Sequence, residues 1–160
     1  MIVEVSGFVG KKYKEVAVFV AGETNKFMRQ PDSLSVSIAF VSKCKIKKLN
    51  KQLRGVDRVT DVLSFPSFNL KPNEIIDLNS VEAQMLMEES GDVHFGDIAI
   101  CMSKIRKQAK EYQVKTSQEL KKIVIHSMLH LMGYDHIKDS DYEIMHKQEN
   151  LLDKKIEVKG

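Results

Sequence analysis

Proline, cysteine and long apolar runs are all scarce in this chain, and each scarcity removes a class of protein. No stretch approaches the roughly 18–20 consecutive apolar residues that a membrane span requires, so no membrane helix is expected. The opening MIVEVSGFVGKKYKEV reaches charged residues early and lacks the basic, apolar, small-residue order of a signal peptide. Only two cysteines are present, Cys44 and Cys101, far apart and without a C-x-x-C partner. With no export signal, two scattered cysteines point to a reducing cytoplasm. There are three prolines, and no internal repeat or low-complexity tract breaks the chain into modules.

What is present suits one domain over residues 1–160, long enough to bury a core. Net charge is only +3, yet the charge is segregated. Lys43, Lys45, Lys47, Lys48, Lys51, Arg54 and Arg58 crowd a short segment against a single acid, Asp57. Residues 73–92 contain no Lys or Arg but six acids, among them Glu74, Asp77, Glu88 and Asp92. A basic face opposite a polyanion is one reading, and a solvated helix is the other.

Hydrophobic periodicity supplies the elements. MIVEVS alternates as a strand; residues 11–28 carry an imperfect helical stripe; SLSVSIAFVS, residues 33–42, is β-branched and alternating. KCKIKKLNKQLRG places Ile46, Leu49 and Leu53 on one helical face with Gly55 as the stop. DVLSFPSF and HFGDIAICM read as two more strands, and three helices follow within 104–113, 117–132 and 139–156. Ser117 and Glu119 suit the start of the middle helix. Residues 67–92 show no period and read as an acidic excursion, with at most a helical turn at MLMEES, residues 85–90. The expected class is α+β, a mixed sheet packed with helices.

Three of the five histidines lie in VIHSMLHLMGYDH, residues 124–136. His126 and His130 are four apart, which places both rings on one helix face, one turn from each other. Gly133 follows where a helix can end in a left-handed residue, allowing Tyr134 and Asp135 to turn the chain and return His136 to the pair. Three neutral imidazoles leave a tetrahedral Zn²⁺ one open position, the arrangement of a catalytic site. Zinc is the default for such donors, although other divalent ions accept them. Zinc peptidases with H-E-x-x-H carry a glutamate after the first histidine; Ser127 stands there and cannot serve as that base.

HSMLHLMGYDH resembles the signature of the YbeY family (UPF0054) of bacterial metal-dependent endoribonucleases. LNKQLRGVDRVTDVLSFP, residues 49–66, resembles the same family's N-x-x-x-R-x-x-D-x-x-T-D-V-L-S-F-P block, and FGDIAIC with QAKEY resembles its G-D-I strand and following helix. The resemblance implies a zincin-like metal-hydrolase core and one zinc held by His126, His130 and His136. It further implies single-strand-specific cleavage in maturation of the 3′ end of 16S rRNA and in ribosome quality control. Implied partners are single-stranded and ribosomal RNA, the small ribosomal subunit and its assembly factors. Arg54 matches the arginine the family associates with its active site; a guanidinium there can pair phosphoryl oxygens as charge builds on them.

Three departures stand out: Ser127 where glycine is common, Arg58-Val59 where Lys-Pro is common, and a longer acidic segment before Gly96. The rival readings are a zinc peptidase of zincin-like geometry and a non-catalytic ribosome-assembly factor with structural zinc. Asp61 and Asp97 are candidates for orienting a ligand histidine or for capping backbone, and Asp135 for satisfying its own turn. His94 and His146 are expected at the surface.

Overall fold

The computed structural model describes Met1–Gly160. The elements run β1 (Ile2–Gly7), α1 (Lys11–Phe27), β2 (Leu34–Phe40), α2 (Lys43–Arg54), β3 (Val62–Pro66), α3 (Val81–Met85), β4 (Val93–Ile100), α4 (Met102–Glu111), α5 (Thr116–Leu131) and α6 (Asp139–Lys155). The four strands form one sheet in the order β1-β2-β4-β3. β1, β2 and β4 are parallel, and β3 returns antiparallel along β4. The expected α+β class with a mixed sheet is what the chain adopts.

Alternation decides which face each strand presents. Leu34, Val36, Ile38 and Phe40 of β2 are buried, and so are Val93, Phe95, Ile98 and Ile100 of β4. These residues meet Val16 and Val20 of α1 and Leu120, Val124 and Met128 of α5 in the main core. The β4 series skips a residue between Phe95 and Ile98. An irregularity in the β2–β4 register at Ser35/Val36 absorbs the extra residue, so the alternation resumes on the same face. The opposite face is covered by α2, where Ile46 packs with Leu63, Ala99 and Cys101. α2 begins on Ser42, whose hydroxyl accepts from the Lys45 amide, and stops at Gly55 as its sequence implied.

Two local expectations shift. In residues 67–92 the helical turn is α3, which ends at Met85, the first residue of the turn expected over 85–90. The Ser80 hydroxyl caps α3 by accepting from the Ala83 amide, while Met87 bridges back to Val93 and is drawn out of helix. Phe68, Ile76 and Ala83 from this segment are buried in the main core. Ser117 does not cap α5. The helix starts at Thr116 after Lys115, and the Ser117 hydroxyl lies buried one step inside without a hydrogen-bond partner.

α5 positions the site. It lies against α1, α4, α6 and the sheet, with Leu120, Val124, Ile125, Met128, Leu129 and Leu131 all buried. A helix apolar on most sides must be enclosed, and this enclosure fixes the direction of the histidines it carries.

Candidate metal centre and its cleft

The spacing in α5 does what helical geometry requires. His126 and His130 share a face, with their Nε2 atoms 3.0 Å apart. The helix closes through the Gly133 amide to the His130 carbonyl (3.1 Å) and the Tyr134 amide to the Leu129 carbonyl (3.0 Å). Gly133 has φ +88°, and a Cβ at that position would fall 2.2 Å from the Leu70 carbonyl oxygen. Only glycine fits both the conformation and the approach. Asp135 Oδ1 then accepts from the His136 amide at 2.7 Å, the turn-satisfying role expected of it. His136 swings back so that its ring centroid lies 5.6 Å from that of His126 and 5.1 Å from that of His130. One nitrogen from each of the three rings lies within 4.8 Å of the others.

Hydrogen bonding fixes which nitrogens are free. His126 Nδ1 donates to Glu149 Oε1 at 2.7 Å, and His130 Nδ1 donates to the Tyr134 carbonyl at 2.9 Å. A carbonyl and a carboxylate only accept, so the proton of each neutral ring sits on Nδ1. With both rings neutral, the two Nε2 lone pairs are directed at each other across 3.0 Å. Protonation of His130 does not relieve this at neutral pH. Burial, and after it the neighbouring His126 and His136, push its pKa from 6.5 down to about 4, although the Tyr134 carbonyl and Asp135 oppose the shift. Facing lone pairs in a partly buried site match a shared cation. The donor set, three neutral imidazoles with two of them backed by acceptors, fits a divalent metal of the zinc type.

Arg54, at the end of α2, points its guanidinium across β3 and donates from Nη2 to the Ser64 carbonyl at 3.3 Å. It borders the same cleft as His130 and His136. The basic segment divides in two. Arg54 and Arg58 reach the cleft, while Lys47 and Lys51 face Asp57 at 3.9 and 3.4 Å on the outer side of α2. The Asn50 side chain donates to the Arg58 carbonyl at 3.0 Å and holds the loop after α2 against the cleft.

The candidate orienting acids are engaged elsewhere. Asp61 accepts from the Val62 amide and from Gln108, which makes it a backbone-capping residue. Asp97 lies 3.2 Å from His94 Nε2, outside the triad. The acid that does orient a triad histidine is Glu149 on α6, which sequence reasoning missed. Nothing in the local pattern of α6 separates it from the acids around it; only the docking of α6 on α5 does. Tyr134 contributes a main-chain carbonyl, which leaves no side-chain signature. Its hydroxyl donates to Asn73 Oδ1 at 3.0 Å, tying the turn to the 67–92 segment. Ser127, where a peptidase would carry its base, is buried and donates to its own helix at the Ile123 carbonyl (2.9 Å). No helix of the chain is long and apolar enough to cross a membrane.

Similarity to known proteins extends over most of the chain. The family described as Endoribonuclease YbeY matches residues 5–157. An Endoribonuclease YbeY from Clostridium beijerinckii is 33% identical over 161 aligned residues, covering 99% of this chain and 94% of the relative. The Finegoldia magna protein of that name is 39% identical over 127 residues, 79% of this chain and 72% of its own. The one from Caldicellulosiruptor saccharolyticus is 36% identical over 129 residues, 81% and 77%. A solution structure of a Thermotoga maritima protein superposes with a TM-score of 0.61 at 31% identity, covering 96% of this chain and 87% of that one.

Proposed function

The chain belongs to the endoribonuclease YbeY family, and on that premise we propose that it is a zinc-dependent hydrolase that cuts single-stranded RNA. Its work is the maturation of the 3′ end of 16S rRNA and ribosome quality control in the cytoplasm, beside the small subunit and its assembly factors. The observation that carries the proposal is the pair of Nε2 lone pairs of His126 and His130 facing at 3.0 Å, with His136 returned beside them and Arg54 on the same cleft.

Each residue then has a role. His126, His130 and His136 hold the metal through neutral rings, so its full charge is retained. Bound zinc acidifies water and takes up negative charge on oxygen. Arg54, steadied by the Ser64 carbonyl, offers a planar pair of N–H donors to the non-bridging oxygens of a phosphodiester. That charge grows as water adds to phosphorus and the ester bond to the leaving oxygen breaks, so the guanidinium binds the transition state more tightly than the ground state. Peptide hydrolysis lacks its carboxylate base, because the position that would supply it is the inward-turned Ser127.

The test offers purified protein single-stranded RNA, duplex RNA and an unfolded polypeptide, each with and without a chelator. Only the single strand should be cut, and the chelator should stop it. Arg54→Ala should lose about 10²–10³-fold in rate, as expected when a charge-stabilising donor is removed, while keeping its metal. His130→Ala should lose the metal. Peptide cleavage without RNA cleavage overturns the proposal. So does full 16S 3′-end maturation in cells that carry only Arg54→Ala.

A further inference from the structure

Two cavities meet at the triad, and they are chemically unlike. Both are bounded by Arg54, Ser64, His130 and His136, which form a saddle between them. One arm, of about 310 Å³, is lined by Asn50, Arg58, Thr60 and Asp61, the last with its carboxylate taken up by the Val62 amide and the Gln108 side chain. The other, of about 420 Å³, is lined by Pro66, Phe68, Leu70 and Ile137, with the Asn69 amide at its edge.

A phosphodiester seated on the saddle carries a nucleoside on each side, so each arm receives one. The arm with Arg58 suits the continuing sugar–phosphate chain, because a second guanidinium lies there for the next phosphate. The other arm has no cation beyond the shared Arg54, so its Asp135 stands without a second guanidinium to offset it. Its apolar walls suit the flat face of a base. Ile137, next to His136, is 82% exposed, a large apolar side chain that no other part of the chain covers. Asn69 is exposed beside it and carries both donors and an acceptor, the complement of a base edge.

We propose that the arm walled by Phe68, Leu70 and Ile137 is a nucleobase subsite, which takes the unstacked base of a nucleotide adjoining the scissile phosphate. This rests on the RNA-cleaving reading above and deepens it. It supplies a physical cause for single-strand selectivity, since a base entering the arm must leave its stack, and a duplex opposes that unpairing.

The experiment compares two strands of equal charge bound to the metal-loaded full chain: an RNA hexamer and an abasic ribose–phosphate hexamer. Phosphate contacts are common to both, so the difference in affinity isolates the bases. The intact strand should bind about tenfold or more tightly, the range of one base stacked on a protein surface. Ile137→Ala and Asn69→Ala should each close much of that gap, leave the abasic strand's affinity unchanged, and retain the metal. Equal binding of the two strands overturns the subsite. So does a gap that persists in full in both variants. RNA cleavage with no such gap removes the subsite and leaves the hydrolase reading standing; the gap without cleavage does the reverse.

Discussion

Glu149 offers the sharpest test of how the triad is organised, because it meets His126 at Nδ1 and leaves Nε2 to the other rings. Its carboxylate accepts from His126 Nδ1 at 2.7 Å and so holds the ring in the tautomer that leaves Nε2 bare. Replacing Glu149 by Ala removes the acceptor, and the ring becomes free to turn or to place its proton on Nε2. Loss of such an outer partner costs metal affinity about 10–100-fold. Here the two side chains are 30% and 28% exposed, so water can substitute in part and the lower end is expected, about tenfold or 1.4 kcal/mol. Glu149→Gln retains a carbonyl oxygen that can accept the same hydrogen bond, so it should lose less than half of that free energy. The assay is competition between the protein and a chelator of known affinity at neutral pH, with circular dichroism to confirm the fold. Unchanged affinity in Glu149→Ala refutes the orienting role. Equal losses in both variants would show that charge, not hydrogen-bond geometry, is what Glu149 supplies.

Gly133→Ala should destabilise the protein by roughly 1–3 kcal/mol, since an L-residue must hold φ +88° with its Cβ against the Leu70 carbonyl. At this size a thermal melt should drop by about 2–4 °C per kcal/mol, and metal affinity should fall too as the Tyr134 carbonyl moves off His130. An unchanged melting temperature would refute the steric argument. In the metal-free protein His130 has a pKa of about 4 against 6.5 when unfolded, so between those values the unfolded chain takes up a proton that the folded chain refuses. Its contribution is intact above pH 6.5 and is lost as pH falls towards 4; chelated protein melted across that range should show the decline, and His130→Phe should flatten it.

The strands and helices were legible because their signals are local. Alternation in SLSVSIAFVS and the helical spacing of Ile46 and Leu49 each depend on neighbours in sequence, and the folded chain keeps both. Leu53, expected on the same face, lies past the sheet's cover and is 59% exposed. The histidine triad was legible for the same reason, since a helical i, i+4 pair and a glycine return loop are encoded within eleven residues. What failed depended on tertiary placement. Ser117 looked like a cap because hydroxyls cap helices, but α5 begins a residue earlier and buries it. Asp61 and Asp97 looked like partners for histidine because acids often are, yet β3 and β4 direct them to the Val62 amide, Gln108 and His94. Glu149 and the Tyr134 carbonyl took that role instead, one by helix docking and one through the main chain.

The acidic segment gains a purpose from the same contacts. Leu70 lies against Gly133, Asn73 accepts from the Tyr134 hydroxyl, and the Gln30 amide clamps the segment by donating to the Glu74 carbonyl (2.8 Å) and accepting from the Ile76 amide (3.1 Å). Residues 68–76 are thus one wall of the triad's return loop, fastened to the end of α1 on their far side. Their acids are not what meets the cleft; Phe68, Asn69 and Leu70 are. The acids that do line the cleft are Asp61 and Asp135, both held by backbone amides, and none from 73–92 is among them. A length of chain with no period of its own becomes ordered because it buries three side chains and closes one side of a metal cradle.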